Sequence, residues 1–411
     1  MVTYLDLNKG LTDAEKSVKE ETHKFAAEVL RPASIELDKL SPEEVIAEGS
    51  LMWDVFRQAY EQGYHTSSLP EQLGGANMSP LARHIHAEEM GWGSADFAIS
   101  IGVTSFPFSF AAMSGNPDLM KEVVVPFSQD REGKYIGCWA ITEPHHGSDS
   151  LLIGTDQFGA ADSGFDCTAR LDGDEWVING QKSAWVSNGT IATHACTFLS
   201  VDRAKGMAGG GVAIIPLNLP GVSRGKPLDK LGQRALNQGE IFFDNVRLPK
   251  HYMVVQPAGY PFIIDNILAG ANAGMSAIFT GVARAAFEEA LAYCKQRIQG
   301  GKPIAEHQLV QKKLFDMFIK VESARALSRS AMQYNAATSP PATQYSIAAK
   351  VYCTEVSFEV ASDAVQLFGG YGLARELPIE KLFRDARASM IEDGTNEVLS
   401  LAGARKLIDT Y

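Results

Sequence analysis

Apolar positions recur at helical spacing over much of this chain, and the first 135 or so residues read as mainly helical. A start signal stands at Leu11-Thr12-Asp13-Ala14-Glu15, where Thr12 caps and Glu15, three residues on, completes a capping box. Leu69 to Gly75, LPEQLGG, interrupts the helices as a loop. From about residue 136 the pattern shortens to β-branched and aromatic runs divided by Gly and Asp. Phe165 to Leu171, the pair Asp172-Gly173, and Trp176 to Ile178 have the chemistry of a hairpin. Runs at 195–201, 211–215 and 240–246 extend it into a small antiparallel barrel or sandwich ending near Pro249. Helical spacing then returns. Ile347, Val351, Thr354, Phe358, Ala361 and Val365 form one apolar stripe, and Val310, Leu314, Phe318 and Val321 form another. Ser339-Pro340-Pro341-Ala342 separates the two, so they are expected to lie antiparallel in a bundle. The expected architecture is an α+β chain: a helical domain over 1–135, a β-domain over 136–250 and a C-terminal helical bundle over 251–411.

Composition narrows the function classes. The 411 residues are 45% hydrophobic and 21% charged, as in ordinary globular proteins. A net charge of −12 without Lys or Arg clusters argues against a nucleic-acid surface. Five scattered cysteines, without Cys-x-x-Cys spacing, suit reduced thiols in a core better than disulfides or zinc. The opening MVTYLDLNKGLTDAEK has neither the form of a secretory signal nor that of an Arg-rich transit peptide. No stretch approaches about 18 uninterrupted apolar residues. A cytoplasmic protein without a membrane partner is the expectation.

Candidate chemistry sits near the C-terminus, in Met390-Ile391-Glu392-Asp393-Gly394-Thr395-Asn396-Glu397. Gly394 permits a tight turn and close approach of a ligand, so an adjacent carboxylate can face a cavity as a general base. The same residues also suit a surface turn capping the last helix. The rest of the chain decides between these readings. Trp139 to Asp149, WAITEPHHGSD, closely resembles the Thr-Glu-Pro-x-x-Gly-Ser-Asp signature of the acyl-CoA dehydrogenases. Further matches follow in family order: Leu69 to Gly75, Lys182 to Gly189 (KSAWVSNG), Leu231 to Pro249, Arg297 to Gln308 (RIQGGKPIAEHQ), Gln366 to Gly372 (QLFGGYG) and Arg384-Asp385-Ala386-Arg387.

The resemblance implies an N-terminal helical domain, a β-domain, a C-terminal four-helix bundle and bound FAD. It implies that Trp139, Ile141 and Thr142 line the flavin, with Ser148 near phosphate or the acyl-CoA chain. Trp185 and Val186 would stand against the ring while Ser187, in place of the usual Thr, addresses N5. In the family the flavin lies between subunits. Arg297, Gln299, His307 and Gln308 would therefore reach the adenosine diphosphate half in a neighbouring protomer, with Gln366, Gly369 and Gly370 adding backbone donors. A homodimer or dimer of dimers follows, with Thr395 and Glu397 contacting the flavin. The implied reaction is α,β-dehydrogenation of an acyl-CoA thioester. Asp393 removes the α-proton, hydride leaves the β-carbon for N5, and the N–H of Asp393 and a flavin hydroxyl hold the carbonyl next to Gly394. Electron-transfer flavoprotein is the implied acceptor.

Three departures qualify this. Asp393 replaces the usual Glu, shortening the base by roughly 1 Å, a misplacement that can cost about 100-fold in rate. Glu392 is a substitute base only if its side chain shares the face of Asp393. Asn272 stands where most relatives have an Arg of the active site, and Ala269 and Gly270 where an Asp often meets substrate, so a wider pocket for a branched or cyclic acyl group is expected. Asp96 is read as a solvated helix residue, with assistance to a remote proton as the alternative, and His145 and His146 as loop residues rather than metal ligands. Competing functions are a nitroalkane-oxidase-like flavoenzyme, which also uses Asp as base, a flavin monooxygenase, and a non-catalytic acyl-CoA- or flavin-binding paralogue.

Overall fold

The computed structural model describes residues 10–411. The capping box expected at its start is present, with the Thr12 hydroxyl accepting from the Glu15 N–H and the Glu15 carboxylate accepting from the Thr12 N–H. That box opens helix α1 (Asp13–Phe25), which is followed by α2 (Leu51–Glu61), α3 (Pro80–Gly93), α4 (Ala95–Thr104) and α5 (Phe106–Met113). The expected loop at 69–75 holds one short turn of 3₁₀ helix, Glu71–Leu73.

Eight strands follow: β1 (Gly137–Ala140), β2 (Thr168–Asp172), β3 (Glu175–Lys182), β4 (His194–Ser200), β5 (Gly210–Pro216), β6 (Val222–Arg224), β7 (Ile241–Pro249) and β8 (Met253–Val255). They form one sheet in the order β6-β7-β3-β2-β4-β5-β8, with β1 added beside β4. Most pairs are antiparallel, but β1 and β2 each run parallel to β4. The expected hairpin is β2-β3, turning through Gly173 at φ +64°. Strand β8 pairs with β5, so the sheet continues past residue 250.

The C-terminal part consists of α6 (Tyr260–Gln296), α7 (Gln308–Ala336), α8 (Thr343–Phe368), α9 (Ile379–Ala388) and α10 (Asn396–Thr410). Both apolar stripes face inward: Ile347, Thr354 and Ala361 of α8 and Leu314 and Val321 of α7 are buried. By length and mean hydropathy Ala95–Met113 and Pro257–Gln296 could each cross a bilayer, although neither is an uninterrupted apolar run, and more than half of the first is buried against the rest of the chain.

Glycine lets the N-terminal helices meet the bundle. A Cβ on Gly91 of α3 would lie 2.1 Å from the Ile278 carbonyl oxygen, and one on Gly281 of α6 would lie 2.0 Å from that of Glu88. This close crossing buries a charge network. Arg284 of α6 donates to Glu88 and Glu89, each at 2.8 Å, and Arg325 of α7 reaches Glu88 at 3.0 Å. The arginines hold both carboxyls well below the usual carboxylate range despite their burial. Removing one partner of such a cluster strands charge in the interior. Arg284→Met is expected to cost about 3–5 kcal/mol of stability, read as a lower denaturation midpoint.

Candidate active site

The carboxylate turn joins α9 to α10 and is left-handed twice over, with Asp393 at φ +53° and Gly394 at φ +96°. A side chain at 394 would be strained by that φ and would also strike Leu151 and Leu399, whose methyls lie 2.8 and 2.9 Å from an added Cβ. Three elements fix the turn. From the β-domain, the Ser148 hydroxyl accepts the Thr395 N–H at 3.0 Å. From α8, Lys350 Nζ donates to the Gly394 carbonyl at 2.8 Å and to Asn396 Oδ1 at 2.9 Å. Within α10, the Thr395 hydroxyl caps the helix by accepting from Val398 N.

Asp393 is solvent-accessible at this turn, with protein packed around it. Desolvation raises its carboxyl pKa, against the pull of Lys350. Its N–H has no hydrogen-bond partner among the described residues. Glu392 turns to a different neighbour, accepting from Gln233 Nε2 at 2.7 Å. Burial pushes Glu392 up to about 7, with the Asp393 charge adding to the rise.

The other expected site residues fall into two groups. Trp139 and Ser187 are bridged through their backbones, and Gln238 Nε2 donates to the Ser187 hydroxyl at 3.4 Å. Asn188 holds this loop to α4, accepting from the Ser100 hydroxyl at 2.6 Å and donating to the Ser100 carbonyl at 2.9 Å. Trp185 remains 58% exposed, a large aromatic face held beside Ser187 with nothing over it. Ile141 and Thr142 are half-buried, their carbonyls taken by Lys182 Nζ and Ser183 N. The second group surrounds a cavity of about 600 Å³ lined by Arg297, Gln299, Gln366, Gly369, Gly370 and Tyr371, among others. His307 supports its rim through a 2.9 Å bond to the Gln299 carbonyl, and Gln308 and Glu397 are exposed at the starts of α7 and α10. No β-domain residue lines this cavity.

Three expectations are corrected. Val186 is fully buried, and its N–H and carbonyl bond to Ser183, Gly189 and Gly239, so it belongs to the core rather than to a ligand surface. Asn272 is also closed off inside the helix packing, its amide donating back to the Leu268 carbonyl, so it lines no open pocket. Asp96 is not solvated. It is completely buried, accepts from Ser34, Ser94 and the Ala235 N–H, and pairs with Lys381 at 3.2 Å, which makes it a structural anchor. In the histidine loop His145 pairs with Asp166 and His146 with Asp149, and ligand atoms of Glu143, His146 and Asp166 lie within 4.8 Å of one another. Glu143 lies near His146 and Asp166, but its oxygens accept from Lys182 and from the N–H groups of Asp166 and Cys167.

Sequence reasoning missed Lys350, although a signal was there. It stands three residues after Ile347 and four before Thr354, a charge on an otherwise apolar stripe.

Comparison with known proteins identifies the scaffold. The family models for the N-terminal, middle and C-terminal domains of acyl-CoA dehydrogenases match residues 12–129, 138–246 and 258–408. This chain belongs to the acyl-CoA dehydrogenase family. It is 31% identical over 98% of its length to the short-chain specific acyl-CoA dehydrogenase of Rattus norvegicus mitochondria, covering 92% of that protein. Identity to the short-chain specific acyl-CoA dehydrogenase of Clostridium acetobutylicum is also 31%, over 98% of this chain and all of that one. Butyryl-CoA dehydrogenase from Megasphaera elsdenii superposes with a TM-score of 0.84 at 29% identity, over 97% of this chain and 99% of that one. The three domain matches lie in order between residues 12 and 408, and the protein is an oxidoreductase acting on CH–CH groups. Its turn demands glycine. Gly394→Ala is expected to cost about 1–2 kcal/mol from the left-handed backbone alone, with a further loss from the Leu151 and Leu399 contacts, visible as a lower thermal midpoint.

Proposed function

We propose that this enzyme removes an α,β hydrogen pair from an acyl-CoA thioester, with Asp393 as the base and FAD as the electron acceptor. The observation that carries this reading is the Asp393 turn: an accessible carboxylate, its own unpaired N–H, and a backbone held from the β-domain by Ser148 and from α8 by Lys350. Asp393 takes the α-proton as a carboxylate, and its own N–H is placed to hold the thioester oxygen as charge develops there. Glu392, committed to Gln233, is the weaker candidate for base.

The residues present fit a flavin dinucleotide. Gly369 and Gly370 have open space where side chains would stand, and the Arg297 guanidinium and the Gln299 and Gln366 amides supply donors suited to a diphosphate. Trp185 offers an uncovered aromatic face beside the Ser187 hydroxyl. When bound, the flavin supplies the two-electron acceptor for hydride. Since the Arg297 cavity includes no β-domain residue, we read it as serving the cofactor of a second copy, in a dimer or dimer of dimers. Electron-transfer flavoprotein remains the proposed acceptor. It is supported by a TM-score of 0.84 at 28% identity to a chain in a structure described as the electron transferring flavoprotein of Acidaminococcus fermentans. A cytoplasmic setting is part of the same proposal.

The relatives' names favour a short acyl chain. The alternative of a branch or ring has lost the support of Asn272 and keeps only the open space around Gly270. Anaerobic bleaching of the yellow protein by butyryl-, octanoyl-, branched and ring-bearing CoA thioesters decides among them. Asp393→Asn is expected to slow bleaching by about 100-fold or more; bleaching at the parental rate rejects Asp393 as base. Oxygen uptake with nitroethane, without bleaching by any thioester, indicates the nitroalkane-oxidase-like reaction instead.

A further inference from the structure

Lys350 is an ammonium inside a helix bundle, and no part of it reaches solvent. Taking such a charge out of water is unfavourable unless other groups compensate. Its two hydrogen bonds go to neutral oxygens, the Gly394 carbonyl and Asn396 Oδ1. Asn396 is fastened in turn to the same helix, donating to the Thr354 hydroxyl at 3.0 Å. The negative charges facing Lys350 are Asp393 first, then Glu392, Glu397 and Glu355, the last from its own helix. Burial nevertheless pushes its ammonium down to about 8. On the other side, Lys350 is the charge that opposes the effect of desolvation on Asp393. Lys230 faces Glu392 and is held by the Leu236 carbonyl.

We propose that Lys350 is the positioning residue of the base: its hydrogen bonds to the Gly394 carbonyl and Asn396 hold the Asp393-Gly394 turn and set its buried ammonium directly behind the carboxylate. This rests on the reading of Asp393 as the proton acceptor. Protein packed around a carboxylate moves it towards its protonated form, which cannot accept a proton. A buried cation behind the turn counters that drift without blocking the side of Asp393 that substrate must reach. The shorter side chain makes the anchoring more demanding, because an aspartate has less freedom than a glutamate to recover from a displaced backbone.

The test is the pH dependence of kcat/KM for the yellow holoenzyme, measured by dye reduction with the most effective thioester of the panel above. Lys350→Gln keeps a donor to the turn but removes the charge, Lys350→Met removes both, and Lys350→Arg keeps the charge. Loss of the charge raises the pKa of Asp393, so the acid limb moves to higher pH. We expect a shift of about one pH unit or more in the Gln and Met variants, and an acid limb at the parental position in the Arg variant with a lower kcat. A yellow Lys350→Gln protein whose acid limb has not moved overturns the proposal. If neither neutral variant folds, Lys350→Arg decides: an unmoved limb supports the charge role and a displaced limb refutes it. Parental bleaching by Asp393→Asn ends the base assignment itself, whereas an inert Asp393→Asn with an unmoved Lys350→Gln limb ends only the role of Lys350.

Discussion

Backbone that L-residues rarely adopt, at two consecutive positions, shapes the turn that presents Asp393. Aspartate tolerates the left-handed region better than most residues, and glycine tolerates it freely, but neither holds the conformation alone. The turn persists because Ser148 reaches it from the β-domain, Lys350 from the bundle, and Leu151 and Leu399 close around Gly394. A turn assembled this way depends on the docking of the β-domain against the bundle. The helix crossing at Gly91 and Gly281 and the buried Arg284, Glu88 and Glu89 cluster, remote in sequence from the turn, belong to the same requirement.

Charge inside the protein is organised in matched groups. Glu143 with Lys182, Asp96 with Lys381 and Asp385, and Asp38 with Arg384 each satisfy buried carboxylates with a cation and further hydrogen bonds. Around the turn the matching is deliberately incomplete in chemical effect: Glu392 is pushed up to about 7, Asp393 is raised, and Lys350 and Lys230 are pushed down to about 8. Groups whose environments displace them towards neutrality are suited to proton transfer, whereas Lys381 and the surrounding hydrogen bonds hold Asp96 below the usual carboxylate range. That contrast separates Asp393 from Asp96. Both were candidates for proton chemistry, and only the first retains a shifted, accessible carboxyl.

The sequence by itself determined the helix, sheet, helix order, the capping box at Thr12, the β2-β3 hairpin, the two apolar stripes and the resemblance that pointed to Asp393 and the Arg297 cavity. Those signals are local: periodicity, turn residues and short motifs survive in a linear reading because each depends on near neighbours. Tertiary structure alone decided that Val186 and Asn272 are core residues, that Asp96 is a buried ion-pair partner, and that Lys350 of α8 lies beneath a turn 43 residues further on. Burial and ion pairing depend on what other segments place around a side chain. Distance along the chain carries almost no information about that, so the proposed base could be found in the sequence, while the groups packed around it could not.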